Sequence, residues 1–209
     1  MSTAPANRRP AFQESRARIL AAARELFGQR GYQGTTTKEL ADAAGVAEKT
    51  LFRHFPTKGA LFKDAVITPF HQFISAYVEE WDARPKGVRD EFDETRSLYE
   101  GLFEMLDANR GLVFALLSAQ AFEDPDSEQF PELHNELNEL LSKLGALLEF
   151  EANARGYAMN APILTRVIFG LALVSTVHAD WLFPAGIHPG RDKLVAELTE
   201  LTVRGVRSA

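Results

Sequence analysis

One stretch, residues 35–58, constrains the fold more than any other, because it carries the start, stop and turn signals of two short helices. Thr36 and Glu39 have the S/T-x-x-E spacing of a capping box, in which each side chain accepts a hydrogen bond from a backbone N–H at the helix start. Gly45 follows a short apolar face, and glycine readily ends helices because it tolerates positive φ. The pattern therefore predicts a helix that begins near Thr36 and ends before Gly45.

A second helix is predicted from Ala47 to Phe55. Leu51 and Phe55 lie one turn apart and are expected to face inward, and Pro56 ends the segment because proline disfavours the α conformation in the residue before it. The residues expected to face outward are mostly polar or charged: Lys49, Thr50, Arg53 and His54. Two helices around a glycine turn are typical of a helix-turn-helix, whose second helix enters the major groove of DNA.

The remaining periodicity is also helical. Helices are predicted at residues 15–30, 58–81, 88–107, 110–123, 127–155, 161–183 and 190–207. Pro69 lies inside one of them and is expected to kink it. No strand-like alternation is long enough to compete with an all-α fold.

The first third of the chain resembles the TetR family of bacterial transcriptional repressors. The matching residues are Gly31-Tyr32, Thr35-Thr36, Leu40-Ala41, Ala44-Gly45-Val46, Thr50-Leu51, His54-Phe55-Pro56 and Lys58. The resemblance implies about nine helices, with a three-helix DNA-binding head at residues 14–60 on a helical ligand-binding and dimerisation body at residues 61–209. Residues 1–13 are expected to be a flexible basic arm, whose Arg8 and Arg9 either reach DNA or only keep the segment solvated.

The charge distribution agrees with such a head. Residues 1–63 contain 11 Lys and Arg against 5 Asp and Glu, a net +6, whereas residues 64–209 contain 12 against 24, a net −12. DNA binding requires local positive potential rather than a positive total. The alternative is chance clustering on solvated faces, but the change of sign coincides with the end of the motif.

The resemblance also implies which residues touch DNA. Base-edge contacts are expected from Lys38, Glu48, Lys49, Thr50 and Phe52, and phosphate contacts from Thr36, Arg53, His54 and Lys58. The chain departs from the family at Ala47, usually Ser or Thr, and at Phe52, frequently Tyr. Loss of the N-cap at Ala47 is expected to cost the recognition helix about 1 kcal/mol.

In the body, the resemblance implies a cavity for a small effector that is not identified by the sequence. Its expected walls are aromatic residues and one histidine: Phe73, Tyr77, Trp81, Phe103, Phe114, Phe122, His178 and Trp181. His134, Asp180 and Glu123 are candidates for a polar or cationic end. For any single aromatic residue ordinary core is the commoner role, and for each polar candidate solvation or pairing is the commoner state.

The predicted helix at residues 161–183 is apolar nearly all round, so both of its faces need cover. Small residues at Gly170, Ala172 and Ser175 would let a partner helix approach closely. The resemblance implies a homodimer through this helix and the last one, residues 190–207. A monomer in which the last helix buries it is the alternative.

Other functional classes lack their signals. The five histidines are scattered without an HExxH pair, there is no cysteine, and no nucleophile elbow or phosphate-binding loop is present, so neither an enzyme, a metal site nor a cofactor is expected. No signal peptide or membrane span is apparent, which suggests a cytoplasmic protein. The expected function is that of a TetR-like repressor that binds a double-stranded, pseudo-palindromic operator as a homodimer and is released by a small, largely apolar effector. The alternative is a helical ligand- or partner-binding protein with weak or non-specific DNA binding.

Overall fold

The computed structural model describes residues 8–83, 90–122, 129–184, 186–187 and 189–207, which contain ten α-helices and no strand. The helices are α1 (Arg8–Arg30), α2 (Thr37–Ala43), α3 (Glu48–His54), α4 (Lys58–Asp82), α5 (Glu91–Ala108), α6 (Arg110–Phe122), α7 (Gln129–Ala154), α8 (Ala161–Val177), α9 (Ala179–Leu182) and α10 (Arg191–Arg207). The all-α prediction is confirmed, with one helix more than expected. No helix among these residues has the length and apolar character needed to cross a membrane.

The described residues divide into two compact units. Unit 1 lies within Met1–Thr68 and Gly111–Leu133, and unit 2 lies within Pro69–Arg110 and His134–Ala209. The division therefore passes through α4, α6 and α7 rather than through a linker. The domain boundary at residues 60 and 61 stays a prediction.

In unit 1, α1, α2 and α3 contact one another and share one core. Its largest fully buried side chains are Ile19, Phe27, Leu40, Leu51, Phe55, Leu61 and Phe62. Tyr32 covers one corner of this core, with its ring centroid 6.0 Å from that of Phe27 and 4.9 Å from that of Phe62. Because both inward-facing residues of α3 are buried, the opposite side of that helix faces solvent.

The first helix begins earlier than predicted. The sequence suggested a flexible arm through residue 13, but residues 8–13 are helical. Pro10 was one reason to predict a flexible segment. In the first turn, however, a proline removes no hydrogen bond, because the first four N–H groups of a helix have no intrahelical partner. Arg8 and Arg9 thus begin α1; their side chains and residues 1–7 lie outside the described residues.

In unit 2, α5 packs against both α8 and α10. Leu98, Tyr99, Leu102 and Leu106 of α5 are fully buried, and the Tyr99 hydroxyl lies 2.8 Å from that of Thr202 on α10. The helix α4 continues through Pro69 without interruption, and the kink expected there stays a prediction. Exposed residues of α8 and α10 therefore lie at the surface of the chain, Ile163 and Leu201 among them.

The predicted helix at residues 161–183 is in fact two helices. The backbone leaves the helical conformation at His178 (φ −109°, ψ 24°), between α8 and α9. Just before this residue, the Val177 carbonyl accepts a hydrogen bond from Arg110 Nη2 over 3.3 Å. A side chain that competes for a helix carbonyl is a recognised cause of such breaks, and its partner lies 67 residues away, beyond the reach of local sequence patterns.

Candidate functional site

The capping box predicted at the start of α2 is present. Thr36 Oγ1 accepts a hydrogen bond from the Glu39 N–H (3.2 Å), and the Thr36 N–H donates to Glu39 Oε2 (2.9 Å). Glu39 Oε2 accepts hydrogen bonds from the Thr36 N–H and from the Thr36 hydroxyl (2.8 Å), and these two bonds, in that order, lower the pKa of the Glu39 carboxyl. The nearby Arg30 guanidinium also favours the charged form of Glu39. The Thr36 hydroxyl, expected at a phosphate, therefore already serves to hold α2.

The turn between α2 and α3 has the geometry that glycine favours. Gly45 has φ of 63°, and the N–H groups of Gly45 and Val46 donate to the carbonyls of Asp42 and Ala41 over 3.1 and 3.0 Å. This pairing is a Schellman motif, which satisfies the last carbonyls of α2. It directs the chain into α3 at a fixed angle, as the sequence predicted for a helix-turn-helix.

The start of α3 lacks a side-chain cap. Ala47 occupies the N-cap position and makes no side-chain hydrogen bond there. Glu48, in the first turn, accepts a hydrogen bond from the Thr37 hydroxyl over 2.5 Å. Its carboxylate complements the helix dipole, so one of the residues expected to read a base also links the first turns of α2 and α3.

The outer face of α3 presents most of the residues expected at the bases. Lys49 and Arg53 are exposed, Phe52 is 42% exposed, and Thr50 is half-buried. Lys38 is exposed on α2. An exposed phenylalanine flanked by two cations suits an interface with nucleic acid, because the cations can meet phosphate or guanine while the ring meets an apolar base edge.

His54 does not face outward as predicted. Its Nε2 lies 2.9 Å from Ser15 Oγ, its ring centroid is 4.0 Å from that of Phe12, and its Nδ1 is buried without a hydrogen-bond partner. Burial first, and then the charges of Arg53 and Arg16, lower the pKa of His54. The reason for the difference is the early start of α1, which places Phe12 and Ser15 over the imidazole.

Lys58, the other cation expected at a phosphate, is half-buried at the start of α4. Its Nζ lies 4.1 Å from the centroid of the Tyr32 ring. A cation–π contact of this kind stabilises the side chain over the ring by about 0.5–1 kcal/mol at an accessible site. The phosphate contact of Lys58 stays a prediction. To make it, the ammonium would have to leave its position over the Tyr32 ring.

Unit 2 contains a cavity of about 80 Å³ among α4, α5, α7, α8 and α10. Two of the predicted wall residues, Tyr77 and Trp81, line it. Its other walls come from residues that the sequence did not single out, including Glu91, Glu94, Thr95, Leu98, Leu147, Leu148, Glu151, Arg155, Tyr157, Met159, Leu164, Ile168, Thr202 and Val206. The wall is thus mainly apolar, with a few charged groups.

The other predicted wall residues lie elsewhere. Phe103 is buried and Phe73 is half-buried beside Tyr77, but neither is among the lining residues. Phe114 belongs to unit 1, and His178 and Trp181 are exposed, Trp181 by 79%. The Phe122 side chain lies outside the described residues.

The expected polar anchors are not at the cavity either. His134 is exposed, Asp180 lies 3.6 Å from Arg110, and Glu123 is outside the described residues. Instead, Arg155 Nη2 is 2.9 Å from Glu94 Oε2, Arg155 also pairs with Glu151, and Trp81 Nε1 donates to Glu151 Oε1 over 3.1 Å. The sequence signal for this network was the i, i+4 spacing of Glu151 and Arg155, which is too common to indicate a site.

Apolar side chains remain exposed on the last long helices. On α8, Ile163 is 61% exposed and Val167 and Val174 are more than two-fifths exposed; on α10, Leu201 is 62% exposed. A Cβ built on Gly170 meets no atom within 4 Å. Among the described residues no group of three His, Cys, Asp or Glu side chains is placed to hold a metal ion.

Comparison with known proteins agrees with this geometry. Residues 19–65, which include α2 and α3, match the family model of the bacterial regulatory proteins, tetR family. The chain is 25% identical over 198 residues to the uncharacterized HTH-type transcriptional regulator YvkB of Bacillus subtilis (strain 168), an alignment that covers 90% of this chain and 95% of that protein.

Solved structures share the fold. The transcriptional regulator FadR from Bacillus subtilis, in complex with stearoyl-CoA, superimposes with a TM-score of 0.71 at 18% identity, over 91% of this chain and 98% of that one. The fatty acid degradation regulator FadR from Bacillus halodurans gives a TM-score of 0.68 at 19% identity, over 99% of both chains. The family and these relatives are regulators rather than enzymes, as the sequence predicted. Residues 19–65 are therefore similar to the DNA-binding region of the bacterial regulatory proteins of the tetR family, and the whole chain shares the fold of the solved regulators.

Proposed function

We propose that the protein is a repressor that binds a pseudo-palindromic operator as a homodimer and is released by a small, largely apolar effector bound in unit 2. The observation that carries this proposal is the two-sided character of α3. Leu51 and the C-cap residue Phe55 are buried, whereas Lys49, Phe52 and Arg53 lie on the exposed side. Because its buried side holds α3 in the core of unit 1, its exposed side can enter a DNA groove without exposing any core residue.

Each exposed residue of the head has a distinct role in the proposal. Lys49 donates to guanine O6 or N7, Phe52 packs on a thymine methyl group, and Arg53 pairs with a phosphate. The same interface includes Lys38, Thr50 and Glu48, whose second carboxylate oxygen can accept from a cytosine amino group. Thr36, His54 and Lys58 border it. Residues 14–60 would form this DNA-binding domain, and residues 61–209 the ligand-binding and dimerisation domain.

The exposed apolar residues of α8 and α10 support a dimer. Ile163, Val167 and Val174 recur at i, i+4 and i+11 on α8 and are exposed, and Leu201 is exposed on α10. Single exposed apolar side chains are common, but several on one face of a helix favour an interface. A dimer is also what DNA recognition by this motif requires, since two heads about 34–36 Å apart match successive major grooves. We therefore place the dimer interface on α8 and α10.

The cavity of unit 2 supports an effector. Its wall is mainly apolar with a few fixed polar groups, as in most small-molecule sites, and its volume of about 80 Å³ admits only a small molecule in this conformation. A structural neighbour was solved with stearoyl-CoA, so a body of this fold can hold a small molecule. The effector would act by preferring a conformation in which the two heads do not match the operator, and it can shift the equilibrium only by its differential affinity.

The test begins with selection of genomic DNA fragments by the purified protein, followed by fluorescence anisotropy on the selected duplex and on random duplex at several salt concentrations. Lys49→Ala is expected to reduce discrimination by about 1–3 kcal/mol at one base pair. Lys143→Ala, which removes an exposed lysine from α7 of unit 2, is the matched control and should change nothing. Equal affinity of the wild type for selected and random DNA would favour the alternative of a helical binding protein with non-specific DNA affinity.

A further inference from the structure

The first turn of α3 carries a carboxylate that is held from the neighbouring helix. The hydroxyl of Thr37, the first residue of α2, donates a hydrogen bond to Glu48 Oε1 over 2.5 Å. A threonine hydroxyl has one proton to donate, so Thr37 commits that proton to this bond. A glutamate side chain is flexible when it is free, and the bond gives Glu48 one preferred position at the start of α3.

The second oxygen of this carboxylate is available to DNA. Glu48 is exposed, as is its neighbour Lys49, and among the described residues Glu48 forms no ion pair. A carboxylate accepts hydrogen bonds and donates none, and phosphates repel it. DNA that offers no donor at this place therefore leaves Glu48 without a partner, and an unfavourable contact of this kind is a source of specificity.

Two bases offer a donor in the major groove, cytosine through N4 and adenine through N6. The adenine N6 lies beside N7, an acceptor that repels a carboxylate, whereas the cytosine N4 has no acceptor beside it on the groove edge of its own base. A carboxylate thus favours cytosine, and an amide, which both donates and accepts, favours adenine. The chemistry of the side chain at position 48 therefore decides between these two bases.

From these contacts we infer that Thr37 is a positioning residue that makes Glu48 select cytosine, so that each operator half-site has a C·G pair at one fixed position. Thr37 acts through Glu48 and contacts no base itself. The inference rests on the proposed function in taking α3 to enter the major groove. It does not depend on the dimer interface or on the effector.

The experiment is a base scan of the duplex that the full chain selects from genomic DNA. Each position is replaced in turn by the three other base pairs, and the dissociation constant is measured by fluorescence anisotropy. We expect one cytosine in each half-site whose replacement weakens binding of the wild type by about 10-fold or more. Glu48→Gln should prefer adenine at this position and bind random duplex more tightly than the wild type, because its side chain no longer repels phosphates.

Substitutions of Thr37 test the positioning role. Thr37→Val keeps the shape of the side chain without its hydroxyl group, so it should reduce the preference for cytosine by about 3- to 10-fold and leave the preferences at other positions unchanged. Thr37→Ser keeps the hydroxyl and should restore the preference. In a Glu48→Ala background Thr37→Val should have no further effect on the preference, because the two residues act as one unit.

Glu25→Gln is the matched control for the change of charge. Glu25 lies on α1 of the same unit and accepts a hydrogen bond from Gln29 of its own helix over 3.3 Å. This variant should leave the preference at every position of the duplex unchanged. Circular dichroism identifies any variant that has lost helical structure.

Base preferences that stay the same in Glu48→Gln would overturn the inference and leave the repressor standing. A loss of affinity in Thr37→Val that is equal at all positions would also overturn it, because Thr37 would then stabilise the head without setting specificity. Sequence-specific binding by a protein that remains a monomer would refute the proposed repressor and leave the selection of cytosine intact. A wild type that binds selected and random duplex equally would refute both.

Discussion

At the scale of single residues, the environment of His54 changes what the recognition helix can do. Its imidazole is enclosed by Phe12 and Ser15 of α1 and lies near two arginines, Arg16 and Arg53. Burial and positive neighbours both oppose protonation. At neutral pH His54 therefore acts as a neutral link between α3 and α1 rather than as a cation for phosphate.

A pH dependence follows from this environment. The folded-state pKa of His54 is lowered relative to the unfolded chain, so the unfolded state binds more protons as the pH falls below the ordinary histidine value of 6.5. The contribution of neutral His54 to stability is thus present at pH above about 6.5 and is lost as the pH falls through the lowered pKa. NMR titration of the imidazole should give a pKa below 6.5.

Urea unfolding of the wild type and of His54→Gln at pH 5 and pH 8 measures the same effect as a free energy. The wild type should lose more stability than His54→Gln at pH 5, while the other titrating groups cancel in the comparison. Parallel pH dependence of the two proteins, or an imidazole pKa above 6.5, would contradict the role assigned to His54.

At the scale of helices, close backbone packing joins α1 to α6 within unit 1. A Cβ added to Gly111 would lie 2.5 Å from the carbonyl oxygen of Gly28, whereas a Cβ on Gly28 would meet no atom closer than 3.6 Å. The first distance is far inside van der Waals contact and the obstacle is backbone, so the helices would have to move apart. The two glycines are therefore not equivalent, although they face each other.

Gly111→Ala is expected to lower the free energy of unfolding by about 1–3 kcal/mol, as overpacking of a tight contact does. Gly28→Ala is the matched control. Its methyl group fits, and alanine is favoured over glycine inside a helix by about 0.5–1 kcal/mol, so this variant should be as stable as the wild type or more stable. Urea denaturation of both variants measures the two free energies of unfolding. Equal changes in the free energy of unfolding for the two substitutions would contradict the packing described.

The helices themselves could be predicted where their signals are local. The capping box of Thr36 and Glu39 and the turn at Gly45 depend on residues within one or two turns, and both were found as expected. The break at His178 depends on Arg110, and the orientation of His54 depends on Ser15. Such distant partners leave no periodic pattern in the sequence.

At the scale of the whole molecule, the head was easier to predict than the cavity. Most of the residues predicted to touch DNA lie on two short helices whose spacing is fixed by the turn, whereas the cavity is built from five helices. Of the predicted wall residues whose side chains the structure describes, Tyr77 and Trp81 alone line it, because aromatic residues at helical spacing also serve the core. The charged network around Arg155 depends on an ion pair with Glu94, which lies 61 residues away in the sequence.

The chain passes from unit 2 to unit 1 between Arg110 and Gly111. Arg110, in unit 2, donates to the Val177 carbonyl and lies 3.6 Å from Asp180, and the next residue, Gly111, packs against Gly28 in unit 1. One peptide bond thus links a residue tied to the end of α8 with a residue tied to the end of α1.

The proposed dimer gives the last prediction. Val167→Glu places a carboxylate on the exposed apolar face of α8, where the protomer itself has room for it. In a dimer through this face the charge would be buried without a partner, at a cost of about 3 kcal/mol, which raises the dissociation constant roughly 100-fold. Analytical ultracentrifugation should therefore show a dimer for the wild type and a monomer for Val167→Glu at the same micromolar concentration.

Ala146→Glu, which adds the same charge at an exposed position of α7, is the control and should remain dimeric with an unchanged helical content. Operator affinity provides an independent measure, because a monomer presents one head and loses the second half-site. Val167→Glu should accordingly bind the selected duplex far more weakly, with binding that strengthens as protein concentration restores the dimer. A wild type that sediments as a monomer at every concentration would refute the proposed dimer. A Val167→Glu protein as dimeric as the control would place the dimer interface away from α8.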